Sequence, residues 1–545
     1  MSSLKPFEGP LGQRKAKHLI RRLTFKYNKE LIDFFSKKSA LESLNELIKQ
    51  KEDSLSEPYD PLPTVSPDGY WTSSELHPNQ FDGQGRKRSY ITGHWWYNAI
   101  NQSSLRHKFT FFLHSCFTVG KDLGAGPATT FYDHLRLLDY YSLGNIKTLA
   151  KKITLDNSML TYLDNTDNNA NNPNENYGRE YLELFTILKG EQKGEGDYTN
   201  YTEFDVQQAS KVFSGFKTKI DRSNIDLDTG IPRGYANKNK HDKNDKTFSA
   251  AFDNKTIKGR DSVQGMYEEL DEFVEMVFSK EATAISYARK LYRFFVKSEW
   301  DEEVETNIIK PLAIVLKENN YELIPAIKTL FASEHFYDMD DSDTTNEIIG
   351  AIVKSPLQLL SEISTLFNVS FPNPEVNPLY FYRNFYHWFV HNIFLSSAGL
   401  QLYNPDSVAG YPAHYQTPDF DRHWFSSTTI ISRYKLMESF ILGKNTIISG
   451  NIYSELDTVS FIENNIINIS NSIEMITEIS SILYPEVIDE SRVSYFESIL
   501  ISGYNSYYWG AEWRRFKNNG NDEVIRPRLN ELLIAMVNAP EFQLM

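Results

Sequence analysis

A chain of 545 residues with 40% hydrophobic and 24% charged residues has ordinary globular composition, which excludes the disordered and fibrous classes. It is long enough that two or more packed subdomains are expected. The net charge of −15 repels phosphate backbones and argues for no nucleic acid partner, and a lone cysteine, Cys116, rules out an intramolecular disulfide and a cysteine-rich metal site.

The first residues carry no apolar run of signal-peptide length, and no later stretch has about eighteen uncharged apolar residues. No membrane span is therefore expected, and the chain reads as cytoplasmic as given, with export if a leader was removed. Leu19, Leu23 and Phe25, then Leu31, Phe34, Leu41, Leu44 and Leu47, predict two N-terminal helices within 1–51. Pro58, Pro61, Pro63, Pro67 and Pro78 make 52–90 a loop or linker. Helical spacing resumes at His94 and again from Thr129 past Leu149, with Gly120, Gly124, Gly126 and Pro127 as the turn between. Residues 216–262 lose that spacing, which predicts a small β-containing insertion in a helical core over 91–340. A C-terminal helical region, 341–545, is expected to pack on this core, with helices across 425–442, 448–483 and 528–537. The fold class is mainly α, a multi-helix globular protein with one small β-containing insertion.

The densest polar stretch is 162–186, an asparagine-rich loop followed by a helix crowded with Glu and Arg. Asn172, Pro173 and Glu175 have the form of a helix start: a cap, proline at the first position and Glu three after the cap. On the helix running to Thr186, Glu175, Arg179 and Glu183 share a face, with Asn176 and Glu180 beside them. One reading is a ladder of exposed ion pairs, each worth about 0.3–0.5 kcal/mol. The other is a cleft in which Glu175, Arg179, Glu180 and Glu183 act as acid, base or substrate clamp, while Asn165, Asn174 and Asn176 contact substrate. Counting from Asp164, residues Thr166, Asn168, the Ala170 carbonyl, Asn172 and Glu175 also fall at the ligand positions of a calcium loop. Asp164, Asn168, Asn172 and Glu175 are then the ligands of a divalent cation such as calcium. Asn169 in place of glycine and the stiff Pro173 depart from that pattern, and Asx turns are the alternative.

His241, Asp242 and Lys246 present a base, an acid and a cation in the polar insertion, set against a merely solvated loop. His387 and His391 have the i, i+4 spacing of a metal pair but lack the glutamate of a zinc peptidase, and aromatic neighbours favour a packed helix. The aromatic run YYWGAEWRRF at 507–516 can stack on a ring or pin a terminal helix. Common nucleotide-binding, serine-hydrolase, zincin and Rossmann motifs are absent from the sequence.

PNENYGREYLELFT at 173–186 and YTEFDVQQASKVFSGF at 201–216 resemble the signature of the bacterial domain-of-unknown-function 1800 family. AKHLIRRLTF, the Trp95 and Trp96 pair, HDKNDKTF, ARKLYRFFV, VKSPLQLL and PDSVAGYP extend the resemblance over nearly the whole chain. It implies a mostly helical fold but no established activity, and it suggests as partner a sulfatase-like protein of the domain-of-unknown-function 1501 family. Where the family tends to read Trp-His-Asn-His-Phe, this chain has Leu113, His114, Ser115, Cys116 and Phe117. Residues two apart on a helix point about 200° apart, so such a pair chelates poorly and His114 also reads as a core histidine. The functional expectation is an enzyme of hydrolytic or group-transfer type, with His114 and His241 assisting the Glu/Arg/Asn cleft. The alternative is a non-catalytic binding or scaffold protein acting with the sulfatase-like partner.

Overall fold

Leu19, Ile20 and Leu23 lie on the buried side of the first helix, α1 (Gly12–Leu23), and similar apolar stripes build helix after helix along the chain. The computed structural model describes residues 2–49, 55–57, 83–445 and 450–545; these contain twenty-three α-helices and six strands of two or three residues. The fold is mainly α, as the periodicity predicts. The N-terminal part holds three helices instead of two: after α1 come α2 (Lys29–Phe35) and α3 (Ala40–Lys49). Asn28 is extended and its side chain accepts from Leu31 N at 2.9 Å, which separates α1 from α2.

Most of the loop expected over 52–90 lies outside the described residues. Its last part is helical, because α4 (Gln84–Asn101) begins after Gly83, whose left-handed backbone starts the helix, and buries Tyr90 and Ile91 with Trp95. Then follow α5 (Arg106–Cys116), α6 (Ala128–Tyr140), α7 (Ile146–Ile153), α8 (Asn157–Tyr162), α9 (Asn176–Glu180), α10 (Glu203–Phe213), α11 (Val263–Ser279) and α12 (Glu281–Phe295). The 216–262 insertion contains two antiparallel ladders, Phe216–Lys217 with Tyr235–Ala236 and Lys246–Thr247 with Thr256–Ile257. A third hairpin, Gln192–Gly194 with Asp197–Tyr198, lies outside the stretch where strands were expected.

In the C-terminal third the expected helix over 448–483 is two helices, Thr458–Asn465 and Ser472–Leu483. Asp457 and Asn471 each cap a separate N-terminus; residues 446–449 lie outside the description. Buried apolar side chains from Leu11 to Phe542 form one contiguous cluster with no break at 341. Gly93 shows how tightly the halves meet. A Cβ there would lie 2.6 Å from the Tyr386 ring, whose hydroxyl donates to Thr92 at 3.1 Å.

Asp205 fixes the insertion to this body. Its carboxylate takes the Thr202 N–H at 2.8 Å in a capping box on α10, and the Ser249 N–H and hydroxyl, both at 2.7 Å. Asp205→Ala removes the cap and leaves those partly buried donors unpaired. A loss of about 2–4 kcal/mol is expected, measured as a lowered urea midpoint.

Candidate functional site

The asparagine-rich loop joins three helix ends, where backbone groups lack intrahelical partners. Asn176 and Asn174 donate from Nδ2 to the Leu163 and Asp164 carbonyls just past α8, at 3.3 and 3.2 Å. Asn165 and Asn168, both fully buried, donate to the Phe213 and Ser210 carbonyls at the end of α10, at 3.3 and 2.8 Å. Asn168 Oδ1 accepts from Asn174 N at 3.1 Å. The predicted cap at Asn172 is not formed. Asn169 Oδ1 holds the Asn171 and Asn172 N–H groups in a turn, and Asn174 Oδ1 instead accepts from Asn176 N at 3.0 Å, so α9 starts at Asn176. Of the four calcium-loop positions, Asp164 and Asn172 are exposed, Asn168 is turned into the protein, and Glu175 faces Arg179. Among the described residues, no group of three or more His, Cys, Asp and Glu is placed to hold a metal ion.

The helix after the loop is also not a continuous α-helix to Thr186. It ends at Glu180 and continues as one π-helical turn, Tyr181–Phe185, closed by the Thr186 hydroxyl donating to the Tyr181 carbonyl at 2.6 Å. The wider turn changes the phase, so Glu183 leaves the Glu175–Arg179 row. Glu183 pairs with Lys189 at 2.5 Å and accepts from the Tyr201 hydroxyl at 3.3 Å. Arg179 binds Glu203 through two nitrogens at 2.7 and 2.5 Å and reaches Glu175 at 3.4 Å. Burial and the neighbouring Glu203 raise the Glu175 carboxyl, whereas the Arg179 bonds hold Glu203 low. Glu203 has no counterpart in the sequence-level candidates. Two signals pointed to it: Gly178 inside a short helix, which lets α10 backbone approach to 3.2 Å of a built Cβ, and the Thr202-x-x-Asp205 box that places Glu203 on the first turn.

Glu180 stands apart. It is partly buried and makes no hydrogen bond or ion pair among the described residues. Burial, with the charge of Glu183, pushes its carboxyl up to about 7, against the pull of Arg179 and Lys189.

The insertion brings His241, Asp242 and Lys246 together and adds Glu269 from α11, a carboxylate hidden in an apolar helix face. His241, Lys246 and Glu269 side chains are entirely sealed, with Glu269 Oε2 at 2.5 Å from Lys246 Nζ and 3.2 Å from His241 Nε2. His241 Nδ1 donates to the Ser214 carbonyl at 2.8 Å, and Lys246 donates to the Asp242 carbonyl. Burial pushes Glu269 up, but the His241 and Lys246 bonds outweigh it and hold the carboxyl below its usual range. His114 is fully buried, bonds the Val119 carbonyl at 3.0 Å, and is lowered to about 3 by burial and by His134. Cys116 is buried with its thiol pushed up to about 11. In the 507–516 run, Trp509 and Trp513 are buried and pin the Ser506–Asn519 helix, while Tyr507 stays 88% exposed. A cavity of about 500 Å³ opens elsewhere, between α1, α2 and the Ser472–Leu483 helix, lined by Arg14, Lys17, Asp33 and Glu486 among others.

Fold and polar networks together describe a many-helix protein in which buried ion and amide clusters join helix ends. A family model described as a protein of unknown function (DUF1800) matches residues 18–544, and the chain belongs to that family. Comparison with the curated proteins and with the solved structures finds no match. No helix among the described residues is long and apolar enough to cross a membrane.

Because Glu269 is lowered in the folded state, its contribution to stability is present above the unfolded value near 4.5 and is lost as pH falls through the folded value. Glu269→Gln leaves Lys246 buried without its counter-charge. It is expected to lose about 3–5 kcal/mol at pH 7, and its stability should fall less on acidification below pH 4.5 than that of the wild type, measured by urea unfolding across pH 3–7.

Proposed function

We propose that the chain is an acid–base enzyme of hydrolytic or group-transfer type, with Glu180 as the group that gives and takes the proton. The observation that carries this reading is an uncompensated, partly buried carboxyl flanked by carboxylates that are each engaged by a cation. A carboxyl at about 7 is half protonated near neutral pH, the condition for efficient proton transfer in both directions. Arg179, locked by Glu203, and Glu183, locked by Lys189, hold a fixed field around it, and π-helical turns recur at functional sites. In this reading Glu175 tunes Arg179, while Asn165, Asn174 and Asn176 position the loop.

A second reading, a non-catalytic scaffold acting with a sulfatase-like partner of the domain-of-unknown-function 1501 family, is favoured by the sealed His241–Lys246–Glu269 cluster. A group with no exposed side-chain surface meets no substrate.

The two separate on one residue. If Glu180 carries protons, chromogenic ester, phosphoester or glycoside substrates should include one whose turnover has a pH limb near 7, and Glu180→Gln should lower kcat by about 10²–10⁴-fold. Turnover unchanged in Glu180→Gln would sink the reading. The raised carboxyl also lowers stability as pH rises from the unfolded value near 4.5 to about 7, with no further loss above. Glu180→Gln should therefore gain on the order of 1 kcal/mol at pH 8 and nothing at pH 4, the magnitude being discounted for partial exposure.

A further inference from the structure

Ser56 is exposed, and its hydroxyl lies 2.6 Å from His94 Nε2. The chain is pinned beside it. Leu55 is buried, its N–H donates to Asp139 Oδ2 at 3.1 Å, and its carbonyl accepts from the Tyr132 hydroxyl at 3.0 Å. His94 and Asn98 are one turn apart on α4 and share a face, and Asn98 Nδ2 donates to His94 Nε2 at 3.3 Å. That nitrogen is therefore an acceptor. The Ser56 O–H donates to it, and Nδ1 carries the ring proton and donates it to Tyr382 Oη at 3.0 Å. Tyr382 belongs to the π-helical segment Leu379–Leu395, which packs on α4 where Gly93 has no Cβ to hold it off.

An exposed hydroxyl bonded to an imidazole whose other nitrogen is oriented by a third group is the arrangement that activates a serine. We infer that Ser56 is a nucleophile, with His94 as its general base and Asn98 as its oxyanion donor, acting on acyl esters that have a good leaving group. Burial lowers His94 to about 4, so the ring is neutral and Nε2 accepts at neutral pH. The same low basicity restricts the site to leaving groups that need little assistance. In the first step Ser56 Oγ bonds the carbonyl carbon, and its proton passes to His94 Nε2. A protonated Nε2 no longer accepts from Asn98, which frees the amide N–H for the oxyanion. The bond from the acyl carbon to the leaving group breaks, and the leaving group takes the Nε2 proton. Water then attacks the acyl carbon, its proton returns through Nε2 to Oγ, and the carboxylic acid departs. Leu55-Ser56-Glu57 is not a serine-hydrolase signature, and His94 follows 38 residues later. The assignment goes beyond the Glu180 reading and stands without it.

The test treats full-length protein with a fluorophosphonate, from whose phosphorus Oγ displaces fluoride while the serine proton passes to His94; no turnover by Glu180 is read. One equivalent should add, mapped to Ser56 by mass spectrometry, and denatured protein should take up none. Ser56→Ala should keep the wild-type Tm, because the side chain is exposed, and lose the label. His94→Gln should slow labelling about 10²-fold or more, and Asn98→Ala, which keeps the histidine, by about 10²-fold. Unlabelled wild type, a label that persists in Ser56→Ala, or an undiminished rate in either of the other variants overturns the proposal.

Discussion

Glu362, with no exposed surface, is the contact on which the rest of the molecule is hung. It accepts from Arg21 Nε of α1 at 2.9 Å and pairs with Lys354 at 3.0 Å, both cations being sealed as completely as the carboxylate. The same two cations reach further. Arg21 donates to the Ile482 and Leu483 carbonyls at 3.1 and 2.6 Å, and Lys354 donates to the Phe542 carbonyl at 2.5 Å. Lys17 and Tyr27 complete the cap on the same helix end, at Ser481, Tyr484 and Ile482. A charge this deep is tolerated only when every member of its cluster is in place, so the beginning, the middle and the end of the chain become ordered together.

The asparagine loop follows the same rule in neutral form. Helix termini that meet inside a protein present unpaired N–H and C=O groups, and an amide side chain can answer both kinds at once. Asn165, Asn168, Asn174 and Asn176 each donate to a carbonyl at the end of α8 or α10, and Asn168 and Asn174 also accept main-chain N–H groups at the approach to α9, which holds the π turn and its carboxylates in a fixed frame. Beside these answered groups, Glu180 makes no hydrogen bond or ion pair among the described residues, and an ionisable group of that kind is where chemistry is sought.

What could be read from the sequence divides by range of interaction. Apolar spacing gave the helical class, and the loss of spacing over 216–262 located the β-containing insertion, because both depend on neighbours within a turn or two. The Asn172 cap was misread because its signature is local, while the turn set by Asn169 Oδ1 withdraws Asn172 from the helix start. His241, Asp242 and Lys246 were seen as a group through their closeness in sequence. Their counter-charge, Glu269, was not, since it arrives from another helix. Glu203 escaped for the same reason, 24 residues from Arg179. The Ser56 and His94 pair gave no signal at all, being 38 residues apart until folding sets the two side chains together.

The central claim is that one buried ion cluster holds both chain ends to the middle, and unfolding of Glu362→Gln tests it most directly. Removing the charge while keeping the shape leaves Arg21 and Lys354 buried without it, so the variant should lose about 3–5 kcal/mol. The triple replacement Arg21→Met, Lys354→Met and Glu362→Leu should recover most of that loss, because it removes the buried charges together. A Glu362→Gln urea midpoint equal to that of the wild type would contradict the account.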